Sequence, residues 1–167
     1  MRIPLSVRNF YSGRKVVFAD FFIQIPSMRV ARAHSAVVDS GSPFTSISTR
    51  DAIDFGLPIK HTQGEEITQL AGFKFYSHFL TATFVFRDAE QKPFRFTGQK
   101  VRVLIPTKLD KPTLREVQDI PSLIGTDFIE DNRLTFVYNP STLTAYFERA
   151  EPEPLILTPT NQSGTTS

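Results

Sequence analysis

The stretch AVVDSGSPFTSIS, Ala36 to Ser48, puts a carboxylate where an apolar strand ends. Ala36, Val37 and Val38 lead into Asp39-Ser40-Gly41-Ser42, and apolar and hydroxyl residues follow. An aspartate there serves one of two ends. It can be an ordinary turn residue, or it can do acid–base chemistry, taking a proton from water and returning one to a leaving group. Gly41 suits the second use, because a loop without a Cβ tightens readily and lets backbone N–H groups approach a carboxylate. Ser42 is near enough in sequence for its hydroxyl to bond the Asp39 carboxylate and favour the charged form.

A second fragment complements the first. Pro121 to Asn132 reads PSLIGTDFIEDN, a short apolar strand at Leu123-Ile124, then Gly125, then a helix-like segment. The apolar-apolar-Asp-Ser-Gly motif followed by Leu-Ile-Gly-x-Asp-Phe-Ile resembles the aspartic proteases of the retroviral type, over about residues 16 to 148. The resemblance implies an all-β, retropepsin-like closed β-barrel, the acid protease fold, with one or two short helices and one lobe per chain. It implies that Asp39 is catalytic and that Ser40 matches the Ser/Thr whose hydroxyl grips the opposite loop across a dimer. In the family, the strand after the catalytic loop threads between the Leu123-Ile124-Gly125 strand and its neighbour, and the glycine allows the close passage. A β-hairpin flap covers the cleft, and its counterpart is about Glu66 to Tyr76, with Ala71-Gly72 at the tip and Leu70 and Phe73 facing substrate. Two departures stand out. Thr126 replaces an arginine that many viral members use in dimer contacts, and the flap segment is poorer in glycine than viral flaps.

No second Asp-Ser/Thr-Gly occurs in the chain. The chemistry needs two carboxylates sharing a proton around one water, and their apparent pKa values belong to the pair. One motif per chain therefore implies an isologous homodimer with Asp39 from each protomer. The activity implied is endopeptidase cleavage of extended peptides between apolar residues, with no metal and no organic cofactor. The rival reading is a non-catalytic dimerisation or peptide-binding module that kept the fold. Such a module has no need for a costly buried carboxylate pair. A plain β-barrel with Asp39 as a turn residue is the third reading, and it leaves Leu-Ile-Gly-x-Asp-Phe-Ile unexplained.

The elements that must position these residues are mainly strands. Val16–Ile25, Arg29–Val38, Phe79–Phe86, Phe94–Ile105, Leu134–Tyr138 and Leu143–Phe147 are apolar or alternating and β-prone. Two short helices are expected. One is capped by Ser48 or Thr49 and stopped at Gly56; the other spans about Thr126 to Asp131. Pro106 to Pro121 reads as an excursion between strands. The chain divides into an N-terminal extension over 1–15, a domain over 16–150 and a Pro/Thr/Ser-rich tail over 151–167. That tail is expected to be largely disordered, with Leu155-Ile156-Leu157 available to dock.

Composition narrows the field. The 167 residues suffice for one domain with a real core. Sixteen Phe with no Trp and no Cys give an aromatic-aliphatic core and exclude thiol catalysis and disulfides. A net charge of +2 is too small to imply nucleic-acid binding, and Arg29, Arg32 and His34 read as a solvated strand face. No apolar run approaches the roughly 20 residues of a membrane span, and no signal peptide is recognisable, so a cytoplasmic location is expected. His34, His61 and His78 lack metal-ligand spacing. A Ser-His-Asp hydrolase is set aside because no Gly-x-Ser-x-Gly elbow is present.

Overall fold

In Lys15–Ile25 (β2) every second side chain from Val17 to Ile25 is buried, the period of a strand with one face on a core. The computed structural model describes residues 1–10, 13–60 and 66–149. His61 and the tail over 151–167 lie outside them. The described strands are β1 (Arg2–Asn9), β2, β3 (Val30–Val38), β4 (Ser46–Ile47) and β5 (Glu66–Leu70), then β6 (Phe73–Arg87), β7 (Pro93–Pro106), β8 (Leu123–Ile124), β9 (Leu134–Asn139) and β10 (Thr144–Arg149). The helices are α1 (Thr49–Asp54), α2 (Lys111–Val117) and α3 (Thr126–Asp131).

The fold is mainly β. Pairing runs from β2 to β3, β8, β4, β7 and β6, and β6 returns to β2. The ring is uneven: β4 and β8 have two residues each, whereas β6 and β7 have 15 and 14. Within it β8 lies parallel to β3 (Val37↔Leu123, Val38↔Ile124), and β4 lies between β8 and β7. The stretch 1–15, set apart on sequence as an extension, contributes β1 to the sheet. β1 bridges β2 and β10, and its Ile3 is fully buried.

Phenylalanines fill the centre. Phe21 packs on Phe84 and Phe86 with ring centroids 4.6 and 5.0 Å apart, and Phe128 meets Phe96 at 5.1 Å and Phe147 at 6.0 Å. Tilted and edge contacts of this kind add to the area that the rings bury. A smaller cluster of Phe75, Leu104 and Val117 sits to one side.

Among the described residues three α-helices form where one or two short helices were expected. The additional one, α2, lies in the Pro106–Pro121 excursion. Asp110 caps it by accepting the Thr113 N–H at 2.9 Å. Pro112 falls in the first turn, where a missing N–H costs nothing. The segment expected to begin a strand at Phe79 is the second half of β6, which runs unbroken from the hairpin at its start. Replacing Phe86 by Ala should lower the unfolding free energy by about 3–5 kcal/mol. Ile53→Ala, on the exposed side of α1, should change it by about 0.5 kcal/mol or less. Urea titration of the two variants measures the contrast.

Candidate active site

β3 delivers Asp39. The strand ends at Val38, opposite Ile124, and the Asp39 N–H donates to the Ile124 carbonyl at 3.0 Å. The turn then closes on itself. Gly41 N–H donates to Asp39 Oδ1 at 2.9 Å, and Ser42 N–H to the Asp39 carbonyl at 3.1 Å. A Cβ on Gly41 would stand 3.2 Å from that same Oδ1, so a side chain there would crowd the carboxylate. Asp39 is half-buried, Ser40 and Gly41 are exposed, and Ser42 is buried. The expected bond from Ser42 to the carboxylate is not made. Its hydroxyl donates instead to the Phe44 carbonyl at 2.9 Å, because the turn carries it away toward the next strand.

The loop is clamped to the segment that follows β8. Thr45 N–H and Thr45 Oγ1 both donate to the Asp127 carboxylate, at 2.9 and 2.7 Å, while Gly125 N–H donates to Thr45 Oγ1 at 3.1 Å. Thr126 N–H reaches the Ser42 carbonyl at 2.9 Å. Between these bonds the two backbones touch. A Cβ on Gly125 would lie 2.4 Å from the carbonyl carbon and oxygen of Phe44. Its φ of −92° is ordinary, so here glycine is required for space and not for conformation. Thr45 and Asp127 were missed on sequence, where Asp127 reads only as a residue of α3. The signal was an aspartate in the first turn of a helix whose capping position is a glycine, with no side chain to do that work.

A buried polar network sits behind the loop. Ser48 caps α1 by accepting the Asp51 N–H at 3.2 Å. Ser122 Oγ donates to Asp51 Oδ2 at 2.5 Å and accepts the Ser48 N–H at 2.9 Å, which fixes the residue just ahead of β8. His34, read on sequence as part of a solvated face, has a side chain only 7% exposed, between the rings of Phe21 and Phe55. Its Nε2 has no hydrogen-bond partner and stands 3.9 Å from Asp51 Oδ2. Burial holds the imidazole pKa below its ordinary value. Asp51 opposes that shift, and Arg32 and Arg50 reinforce it.

The segment Glu66–Tyr76 forms a hairpin from β5 and the start of β6, with Leu70 paired to Phe73 across Ala71-Gly72. Both tip residues have positive φ, 50° and 83°, as a two-residue turn matching strand twist requires. Leu70 and Phe73 are half-buried and pack against the Phe75, Leu104 and Val117 cluster. Arg102 links the hairpin to the loop. It pairs with Glu66 at 3.2 Å, and its guanidinium lies over the rings of Phe44 and Phe79.

Among the described residues no group of three or more His, Asp or Glu is placed to hold a metal ion. None of their helices is long and apolar enough to cross a membrane. No family model matches the sequence, and no curated protein matches it. Among solved structures, the chain is similar to the crystal structure of a retropepsin-like aspartic protease from Rickettsia conorii. The identity is 14%, the match covers 89% of this chain and 91% of that one, and the TM-score is 0.49.

Two outcomes follow from the geometry. Asp127→Ala strands the Thr45 N–H and hydroxyl, both buried, and should cost about 2–4 kcal/mol in urea unfolding at unchanged m-value. His34 gives a pH signature. Its folded-state pKa lies below the unfolded value of about 6.5, so below that pH the unfolded chain takes the proton first. Stability should therefore be full above pH about 6.5 and fall as the pH drops toward the lower folded value. His34→Gln should remove this component when unfolding is compared from pH 8 to 5; equal slopes in the two proteins would exclude His34 as its source.

Proposed function

We propose that this chain is one half of an aspartic endopeptidase, completed when two copies bring their Asp39 carboxylates together across a two-fold axis. The observation that carries the reading is the clamped loop. Asp39 stands at the end of β3, oriented by Gly41, on a backbone tied to Ile124, Gly125 and Thr126. The clamp is made by backbone groups, Thr45 and Asp127, which leaves the Asp39 carboxylate for the reaction. Preorganised groups on a rigid support are what a hydrolytic site needs.

In the proposed dimer one Asp39 carboxylate takes a proton from the water between the pair, and that water adds to the scissile carbonyl carbon. The other carboxyl donates its proton to the carbonyl oxygen. On collapse of the tetrahedral adduct the C–N bond breaks, the nitrogen takes a proton, and one water has been consumed per peptide bond. Two carboxylates this close cannot both be ionised, which keeps one proton on the pair. Ser40 bonds across the dimer to the opposite loop. Gly125 and the β8 pairing hold the strand crossing, and the Leu70–Phe73 hairpin tip closes over an extended peptide with apolar residues at the cut, excluding water. In this reading the ring of strands is the closed barrel of the retropepsin-like fold.

The test is cleavage of a mixed peptide library from pH 3 to 8 at high and low protein concentration, with Asp39→Asn alongside. Wild type should cut, and specific activity should fall on dilution. The variant should lose at least about 10²-fold while unfolding as wild type does. Cleavage that survives in the variant would assign the chemistry to another group. A folded, dimeric chain that cuts nothing at any pH would replace this reading with a peptide-binding or dimerisation module.

A further inference from the structure

Ser122 is the junction of three elements, α1, β3 and β8. Its hydroxyl donates to Asp51 Oδ2 at 2.5 Å and accepts the Ser48 N–H at 2.9 Å, and its carbonyl accepts the Val37 N–H at 2.9 Å. The residue is 1% exposed, so these bonds are made out of water, where they couple most strongly. Val37 stands two residues ahead of Asp39, and the Asp39 N–H is bonded to Ile124, two residues beyond Ser122. A shift of Ser122 therefore reaches Asp39 along two parallel strands, β3 and β8.

The far end of this chain of bonds carries a group that can change charge. His34 Nε2 stands 3.9 Å from Asp51 Oδ2, the same oxygen that Ser122 holds. A neutral imidazole makes no hydrogen bond at that distance. A charge-assisted N–H···O bond closes to about 2.7–2.9 Å, so an imidazolium shortens the gap by about 1 Å. The ring is held edge-on by Phe21 and Phe55, which leaves the carboxylate as the partner that moves. Few other charges compete. Arg32, on the same face of β3, lies over Phe55 and donates to the Asp54 carbonyl. From α1, Arg50 bonds Asp51 Oδ1, and Asp54 shares a surface trough with His34. From β2 comes Phe21, whereas Asp20 pairs with Ser35 on the opposite sheet face, where Ser6, Ser35 and Arg8 hold it. On the core side, the small cavity that His34 lines has no charged residue.

We infer that Asp51 is a positioning residue for Asp39, acting through Ser122, and that the charge on His34 sets where Asp51 holds that serine. Uncharged, His34 leaves Asp51 to Ser122. Charged, it draws Asp51 toward itself, and the end of β3 follows. The relay concerns the placement of Asp39 whatever reaction that carboxylate performs, so its test needs no substrate.

An NMR titration of the full chain from pH 8 to 4 tests it. The carbon-bound imidazole protons of His34 report its own midpoint, and the amides of Ser48, Val37 and Asp39 should move with that same midpoint. His34→Gln should remove this component from all three amides. Ser122→Ala should leave the His34 titration in place and abolish the movement at Val37 and Asp39, and Ser122→Thr, which keeps the hydroxyl, should restore it. Asp51→Asn keeps an oxygen for Ser122 but removes the charge that opposes the effect of burial on His34. It should lower the His34 midpoint and uncouple the amides, and it carries the test alone should Ser122→Ala fail to fold. Amides that ignore the His34 midpoint would overturn the inference. So would a His34 that stays neutral down to acid unfolding, or coupling that survives in Ser122→Ala or Asp51→Asn.

Discussion

Two backbones in this chain are in contact, and much of the fold is arranged around that contact. Gly125 has no Cβ at the point where the carbonyl of Phe44 passes, and the smallest side chain would overlap it. Because they touch, β8 can sit beside β3 and still pair with β4, although each of the two short strands offers only two residues. Strands that short cannot hold a register alone. The Thr45–Asp127 bonds do so, and they stand within a few residues of Asp39.

Behind this contact the structure changes character. The core of the sheet rests on phenylalanine packing, which tolerates volume-conserving swaps at modest cost. The layer around Ser48, Asp51 and Ser122 is polar and buried, with each oxygen assigned a partner. Polar networks of this kind are unforgiving when incomplete, and when satisfied they select one arrangement of the elements they join. His34, beside Asp51, is a polar ring set among phenylalanines with its Nε2 unbonded, and the buried Ser46 hydroxyl two residues before Ser48 is unbonded too. Rigidity around the loop and an unbonded polar ring beside it thus come from the same small region.

An apolar, β-prone run made β2 legible, apolar–polar alternation made β3 so, and a capping serine marked α1 close to its ends. The Asp39–Gly41 turn and the Leu123–Gly125 strand were legible as motifs because each is local. What stayed hidden is mostly long-range. Nothing in the sequence near Thr45 announces a carboxylate 82 residues away. The Ser42 hydroxyl had two acceptors within reach, and only the direction of the turn decides between them. α2 was hidden for a different reason. Pro112 reads as a breaker until Asp110 is recognised as the cap that places it in the first turn. The Arg2–Asn9 strand was obscured by its charges, although Ile3, Leu5 and Val7 alternate.

The clamp also orders events in time. Its two halves are separated by more than 80 residues, and closing so long a loop costs about 4 kcal/mol of chain entropy before any bond repays it. Chains are made from the N-terminus, and the half that carries Gly125 and Asp127 leaves the ribosome long after Asp39 does. A nascent chain therefore carries the Asp-Ser-Gly sequence without the geometry that aims it. Whatever the carboxylate does, it does only after synthesis has passed the helix that holds Asp127.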